Sequence, residues 1–417
     1  MRRTRFMIST LALAAAFMVA CEKPGNNPVT PPEEPETPEE PSTPEEPETP
    51  DEPAGPTYVN LSENGTANCY VIDMEGPYCF DATVAGNGVD APSFAADTAK
   101  LVWQTTDGFV TEFSYEDGVI KFNLSEMTGN ALFAATDAEG KILWSWHIWK
   151  PEESLLSFTT KTGYEIASLN IGALVSTPGS LDSYGMYYQW GRKDPFPAGP
   201  TLTGNTATMP VDLFDIDGAT VKVGYSSWSS DSANTLEYSI ENPTIVLAGQ
   251  PLAGSYKDWL KEADNKLWGN PEGAVKNSEN EYPNKGSKSC YDPCPAGWRI
   301  PPVDALKTAT PSGGYDEDES QFDVEGDFCY GYNINMAEGS SYFPASGRYY
   351  GAYGMLYGSV CGLWGNYWSN SPYGDSDSHM GSIIVAFQNT ATGASMSPLA
   401  GGAKSDAYPV RCIRDKE

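Results

Sequence analysis

The chain has 417 residues, and its 56 aspartates and glutamates outnumber 25 lysines and arginines to leave a formal net charge of −31. A field of that sign repels phosphate backbones and anionic lipid surfaces, so nucleic acid and acidic membranes are excluded as partners. With only two histidines, His147 and His379, far apart in sequence, most imidazole-based catalytic arrangements are excluded as well.

Arg2, Arg3 and Arg5 form a positive start, and Phe6 to Ala20 is apolar without a charge. That core is shorter than the roughly 20 residues a spanning helix needs, so residues 1–20 read as a secretory signal peptide. The stretch ends in Met18-Val19-Ala20-Cys21, which resembles a bacterial lipobox, with Met18 in the place usually held by leucine. The resemblance implies that Cys21 is lipidated and is the first residue of the mature chain. A diacylglycerol and an N-acyl chain together give stable membrane anchoring. Glu22 and Lys23 follow, similar to the export signals of Bacteroidetes surface lipoproteins. The expected location is the outer membrane, lipid-anchored and surface-exposed.

Residues 21–56 repeat proline, glutamate and threonine with almost no side chain to bury. Such a segment cannot offset the entropy of ordering. Proline favours an extended polyproline helix and like charges repel, so it is expected to be a stalk reaching on the order of 90 Å.

Between residues 57 and 150, seven apolar-alternating runs are candidate strands: 67–72, 78–84, 101–104, 110–115, 119–122, 130–135 and 142–149. Asn64-Gly65, Glu75-Gly76-Pro77, Asp107-Gly108, Asp117-Gly118 and Glu139-Gly140 punctuate them. Seven short strands with turns every ~8–12 residues predict a β-sandwich. In the last run, alternation puts Trp144, Trp146 and Ile148 on one face, as core, and turns Ser145 and His147 to the solvent side or rim. Cys69 and Cys79 flank the Glu75-Gly76-Pro77 turn and are candidates for a disulfide. The runs G-T-A-N-C-Y-V-I at 65–72 and N-A-L-F-A-A-T-D at 130–137 resemble a β-domain that recurs in Bacteroides surface proteins.

Residues 151–417 are loop-rich. Trp259, Leu260, Ala263 and Leu267 have helical spacing and predict a helix over 256–267; Val303, Leu306 and Ala309 predict another over 302–309. Six blocks then follow in order: A-S-L-N-I-G-A at 167–173, Y-G-M-Y-Y-Q-W-G-R-K-D-P-F-P at 184–197, D-P-C-P-A-G-W-R-I-P at 292–301, Y-F-P-A-S-G-R-Y-Y at 342–350, Y-W-S-N-S-P-Y at 367–373 and Y-P-V-R-C-I-R-D at 408–415. Over roughly 160–415 they resemble the Fibrobacter succinogenes major paralogous domain of Bacteroidetes lipoproteins. The resemblance implies a C-type-lectin-like, sulfatase-modifying-factor-like α+β fold closed by a strand over 410–413, and a disulfide between Cys294 and Cys412. Trp190, Trp298 and Trp368 are expected in the core, and Gly185, Gly297 and Gly347 where backbone geometry needs glycine. Cys290, Cys329 and Cys361 have no assigned partner.

No metalloprotease, nucleophile-elbow or phosphate-loop pattern is present. Cys290 and Cys294 lack the second ligand pair of a zinc site. Asp316-Glu317-Asp318-Glu319 and Asp375-Ser376-Asp377 are oxygen-rich loops suited to a hard cation, but without EF-hand spacing their ordinary role is solvated surface. Tyr349, Tyr350, Tyr353, Tyr357, Trp364, Tyr367 and Tyr373 crowd one glycine-rich stretch, as core filling or as a recognition surface. The reading is a mainly β chain, with a sandwich at 57–150 and a lectin-like domain at 151–417. It is expected to be non-catalytic, to need no cofactor or metal, and to capture an extracellular protein or glycan; a glycan-binding accessory of polysaccharide uptake and a purely structural envelope protein are the alternatives.

Overall fold

In the computed structural model, the alternating runs of the first stretch become two facing sheets. The structure describes residues 56–416 except 88–90, 204–211, 230–232, 253–254, 274, 276–277, 280, 353–354, 357–359 and 374–379. The signal peptide, Cys21, the stalk up to residue 55, His379 and the Asp375–Asp377 loop therefore lie outside the described residues.

The strands are β1 (Val59–Asn60), β2 (Cys69–Val71), β3 (Gly76–Asp81), β4 (Thr98–Gln104), β5 (Val110–Glu116), β6 (Val119–Leu124), β7 (Gly129–Thr136) and β8 (Ile142–Lys150). One sheet runs β1-β3-β6-β5. The other runs β4-β7-β8-β2 and is extended at its β4 edge by a hairpin of Leu213–Phe214 and Thr220–Val221. Pairing is parallel for β1 with β3 and for β2 with β8, and antiparallel elsewhere. Trp144, Trp146 and Ile148 point into the layer between the sheets. There Phe80 packs 5.3 Å from Trp146, and Phe122 5.1 Å from Phe133, ring centre to ring centre.

Ser145 and His147 do not face solvent. Both are buried, because the outer face of β4, β7 and β8 is itself covered. Trp103, Leu132 and Trp149 on that face share one apolar cluster with Leu169, Ile171, Met186 and Tyr188. A sheet with both faces covered hides its polar alternates too, and these must then find hydrogen-bond partners.

Beyond residue 150 the chain builds several smaller sheets, so the fold is mainly β, with Leu236–Glu241 the single α-helix among the described residues. The early strand Glu165–Ala167 meets the chain's end through the pair Ile166–Ile413, with Trp298–Arg299 on the far side of Ile413–Arg414. The closing strand is thus displaced from the expected 410–413 to Ile413–Arg414; Val410 and Cys412 precede it as buried core. A further sheet joins Trp364–Pro372, Met380–Thr390 and Gly393–Ser397, with Ala400–Ala403 on the first half of the long central strand. Residues Gly55–Glu417 belong to one compact unit.

Neither expected helix forms. Over 256–267 the Asp258 carboxylate accepts from the Leu260 amide at 3.0 Å and Asp264 from the Lys266 amide at 2.8 Å, while the Lys261 amide donates to the Asn234 carbonyl. These local side-chain bonds compete with a helical ladder, and Trp259, Leu260 and Leu267 are buried from an irregular loop. Over 302–309 the amides of Ala305, Lys307 and Ala309 reach back three residues, giving consecutive turns. The helix that does form starts at Thr235, whose hydroxyl accepts from the Tyr238 amide.

Trp190, Trp298 and Trp368 are buried as expected. Gly185 has φ +75°, and a Cβ there would fall 2.6 Å from the Ile171 carbonyl oxygen, so both conformation and space require glycine. Cys294 is bonded to Cys412. Cys69 and Cys79 are unbonded: the turn between them carries the chain from one sheet to the other, so β2 and β3 are not neighbours.

Candidate functional site

The parallel register of β2 and β8 sets Cys69 beside His147. Cys69 Sγ lies 3.5 Å from His147 Nδ1, and His147 Nε2 lies 2.9 Å from Asn130 Oδ1. Tyr188 Oη is 3.4 Å from the same Nδ1, and Asn130 Nδ2 donates to the Gly172 carbonyl. Thiol, imidazole and amide stand in the order used by cysteine nucleophiles. Their surroundings work against that chemistry. Burial pushes the Cys69 thiol far above its ordinary range and the His147 imidazole down to about 3, so the pair rests as neutral thiol and neutral imidazole. The row satisfies the polar side of a doubly covered sheet. Spacing along the sequence gives no sign of it, since Cys69 and His147 are 78 residues apart.

A different arrangement opens to the surface. Along Trp364–Pro372, Trp364 and Asn366 face one way, and the register sets Trp364 opposite Gln388 and Asn366 opposite Ala386. On the next strand Gln388 meets Ser395 and Ala386 meets Ser397. The intervening Phe387 and Met396 point the other way into a core. The outward row lines a cleft of about 480 Å³. Tyr315 and Tyr373 also line it, 58% and 44% exposed. The Tyr373 ring lies against Gly401, where a Cβ would come within 2.7 Å of it.

Arg348 closes one side. Its guanidinium sits 4.8 Å from the Tyr350 ring centre and 5.8 Å from that of Trp364, and it donates to Asp406 at 2.8 Å. Asp406 also accepts from the Gly351 amide and the Tyr408 hydroxyl. Burial raises the Asp406 carboxyl above its usual range, and Arg348 opposes that rise. The ion pair is thus consumed within the wall. Aromatic rings, two side-chain amides and two serines face the cleft together with the aliphatic Ile383, Ala386, Leu399 and Ala400, a surface suited to a neutral ligand with hydroxyls and apolar ring faces.

The aromatic-rich stretch singled out in the sequence divides in space. Tyr349 and Tyr367 are core, Tyr350 stacks on Arg348, and Trp364 and Tyr373 line the cleft; Tyr353 and Tyr357 lie outside the described residues. Tyr315, Asn366 and Gln388 were not singled out, because only strand register brings them to one face.

The acidic loop at 316–319 does not converge on a point. Asp316 accepts from the Ser312 hydroxyl, Asp318 from the Ser320 amide and hydroxyl, and Glu319 from the Tyr332 hydroxyl. Among the described residues no group of three or more His, Cys, Asp or Glu is placed to hold a metal ion.

No family model matches the chain, and neither a curated protein nor a solved structure does.

Proposed function

We propose that this chain is a lipid-anchored surface module, tethered through Cys21 on an acidic stalk, that captures an extracellular saccharide without transforming it. The observation that carries the reading is the cleft between Tyr315 and Tyr373, floored by Trp364, Asn366 and Gln388. Aromatic faces take the C–H faces of sugar rings, while amides bond hydroxyls; neither requires an acid, a base or a metal. The sealed Cys69–His147–Asn130 row supports the non-catalytic part, since neutral groups without access are poorly placed for nucleophilic attack. The resemblance of residues 160–415 to domains of surface lipoproteins supports the location.

Two measurements test it. Glycan arrays followed by calorimetry should find a saccharide whose affinity falls at least tenfold in Tyr373→Ala and in Tyr315→Ala; unchanged affinity in both moves the site elsewhere. Protease treatment of intact cells should remove the protein, and Cys21→Ala should release it to the medium. Full protection in unlysed cells rejects the surface location.

A further inference from the structure

The cluster that carries an inference beyond binding lies in the core, away from the cleft. Lys404, Asp258 and Asn265 are 1%, 1% and 6% exposed. Lys404 Nζ contacts Asn265 Oδ1 directly and lies 3.5 Å from Asp258 Oδ2. Its ammonium position is 4.5 Å from the Trp190 ring centre, and Trp268 packs 5.3 Å from Trp190. The backbone holds the three in place. The Trp190 amide donates to the Lys404 carbonyl, the Ser405 amide to the Lys257 carbonyl, and the Asp258 carboxylate accepts from the Leu260 amide.

A buried amine that touches a carboxamide and lies 3.5 Å from a carboxylate, beside a tryptophan ring, brings together the components of a self-formed amide. We propose that Lys404 and Asn265 join in an intramolecular isopeptide bond, with Asp258 as the proton carrier. The step balances without an oxidant or a co-reactant. Asp258 takes a proton from the Lys404 ammonium, and the freed Nζ lone pair attacks Asn265 Cγ. The protonated Asp258 supports the carbonyl oxygen as the tetrahedral centre forms. The Cγ–Nδ2 bond then breaks, and the nitrogen leaves as ammonium, carrying off the proton that Lys404 brought and the one displaced from Nζ. The product is a neutral secondary amide between residues 139 apart in sequence.

Burial favours each stage. It lowers the basicity of Lys404, against the opposing pull of Asp258, and burial of both groups lets a carboxyl and an amine share a proton at little cost. Contact geometry replaces a bimolecular encounter. Asn265 also lines a cavity of about 870 Å³, which gives the leaving ammonium a way out. The bond would tie the 257–267 loop, which has no helix of its own, to the segment before the closing strand. A surface protein under shear and protease gains most from such a tie.

The test is peptide mass spectrometry of the full chain, denatured, reduced and digested with trypsin. The bond predicts one branched product, Glu262–Lys266 joined to Tyr349–Arg411, lighter than its two parts by one ammonia and uncut after Lys404. Lys404→Arg keeps a cation over Trp190 but removes the nucleophile, so it should give separate linear peptides. Asp258→Asn should leave most of the chain unlinked. Recovery of linear Glu262–Lys266 and Tyr349–Lys404 from the wild-type chain overturns the proposal, whatever the variants do.

Discussion

Cys294 and Cys412, 118 residues apart in sequence, are bonded with their Cα atoms 6.1 Å apart, directly beside the strand pair Trp298–Arg414. The Arg414 guanidinium covers the Trp298 ring at 3.9 Å, so the disulfide locks a contact that packing already favours. In the chain-entropy model, closing a loop of that length contributes about 4–5 kcal/mol. Cys412→Ala should therefore lower the unfolding free energy by about 2–5 kcal/mol. Denaturant melts with and without reductant check it: reductant should shift the wild type towards the variant and leave the variant unmoved.

His147 gives the fold an acid weakness. Its imidazole is held down to about 3 by burial, while in the unfolded chain it titrates near 6.5. The unfolded state therefore binds a proton that the folded state refuses, and stability falls as pH drops through 6.5 towards 3. At pH 5 that loss is about 2 kcal/mol. His147→Gln keeps a neutral hydrogen-bonding side chain and should flatten this slope. The difference between the two pH–stability profiles isolates His147 from the raised carboxyls of Asp292 and Asp406, which act in the opposite sense. Parallel profiles would reject the assignment.

The contrast between Trp146 and His147 marks how much could be read from sequence. Period-two alternation is local, so it located seven of the eight strands of the two facing sheets, missing the two-residue β1, and put Trp146 on the inner face. Whether the outer face is wet depends on what a distant segment does, and Met186 and Tyr188 cover it. The same limit explains the two missing helices. Apolar spacing reported that Trp259 and Leu267 are buried, but Asp258 and Asp264 turn the backbone before a ladder can start. For the cleft, Trp364 and Tyr373 stood out by composition. Asn366, Gln388 and Tyr315 did not, since cross-strand register and the bridge of Asp316 to Met396 assemble that face.

Arg411 is buried, and among the described residues no carboxylate pairs with it. Its Nε donates to Asn170 Oδ1 at 2.7 Å, and its two terminal nitrogens reach the carbonyls of Ala167, Ser168 and Tyr342 and the Ser341 hydroxyl. The Phe343 ring lies 4.2 Å beneath it. Burial brings its pKa down to about 10, which still leaves it charged at neutral pH. Lysine carries the charge but not the planar fork, so Arg411→Lys strands several of these acceptors. A loss of about 3 kcal/mol is expected. Chemical denaturation measures it, and a change under about 0.5 kcal/mol would show that water or rotation replaces the fork.

Gly401 offers a way to disturb the cleft without touching a ring that lines it. The Tyr373 ring occupies the space of the missing Cβ, with atoms 2.7, 2.9 and 3.0 Å from where that Cβ would stand. Tyr373 is nearly half exposed, so a branched side chain at 401 displaces the ring outward and leaves the core alone. Gly401→Val should keep the melting temperature within a few degrees of wild type. It should weaken the best array saccharide at least tenfold, equivalent to about 1.4 kcal/mol, because the ring then stands away from the Trp364 and Gln388 floor. Gly401→Ala should fall between the two. Full affinity in the valine variant would mean that Tyr373 is not a wall of the site, whereas a large drop in melting temperature would mean that its packing on Gly401 is part of the fold.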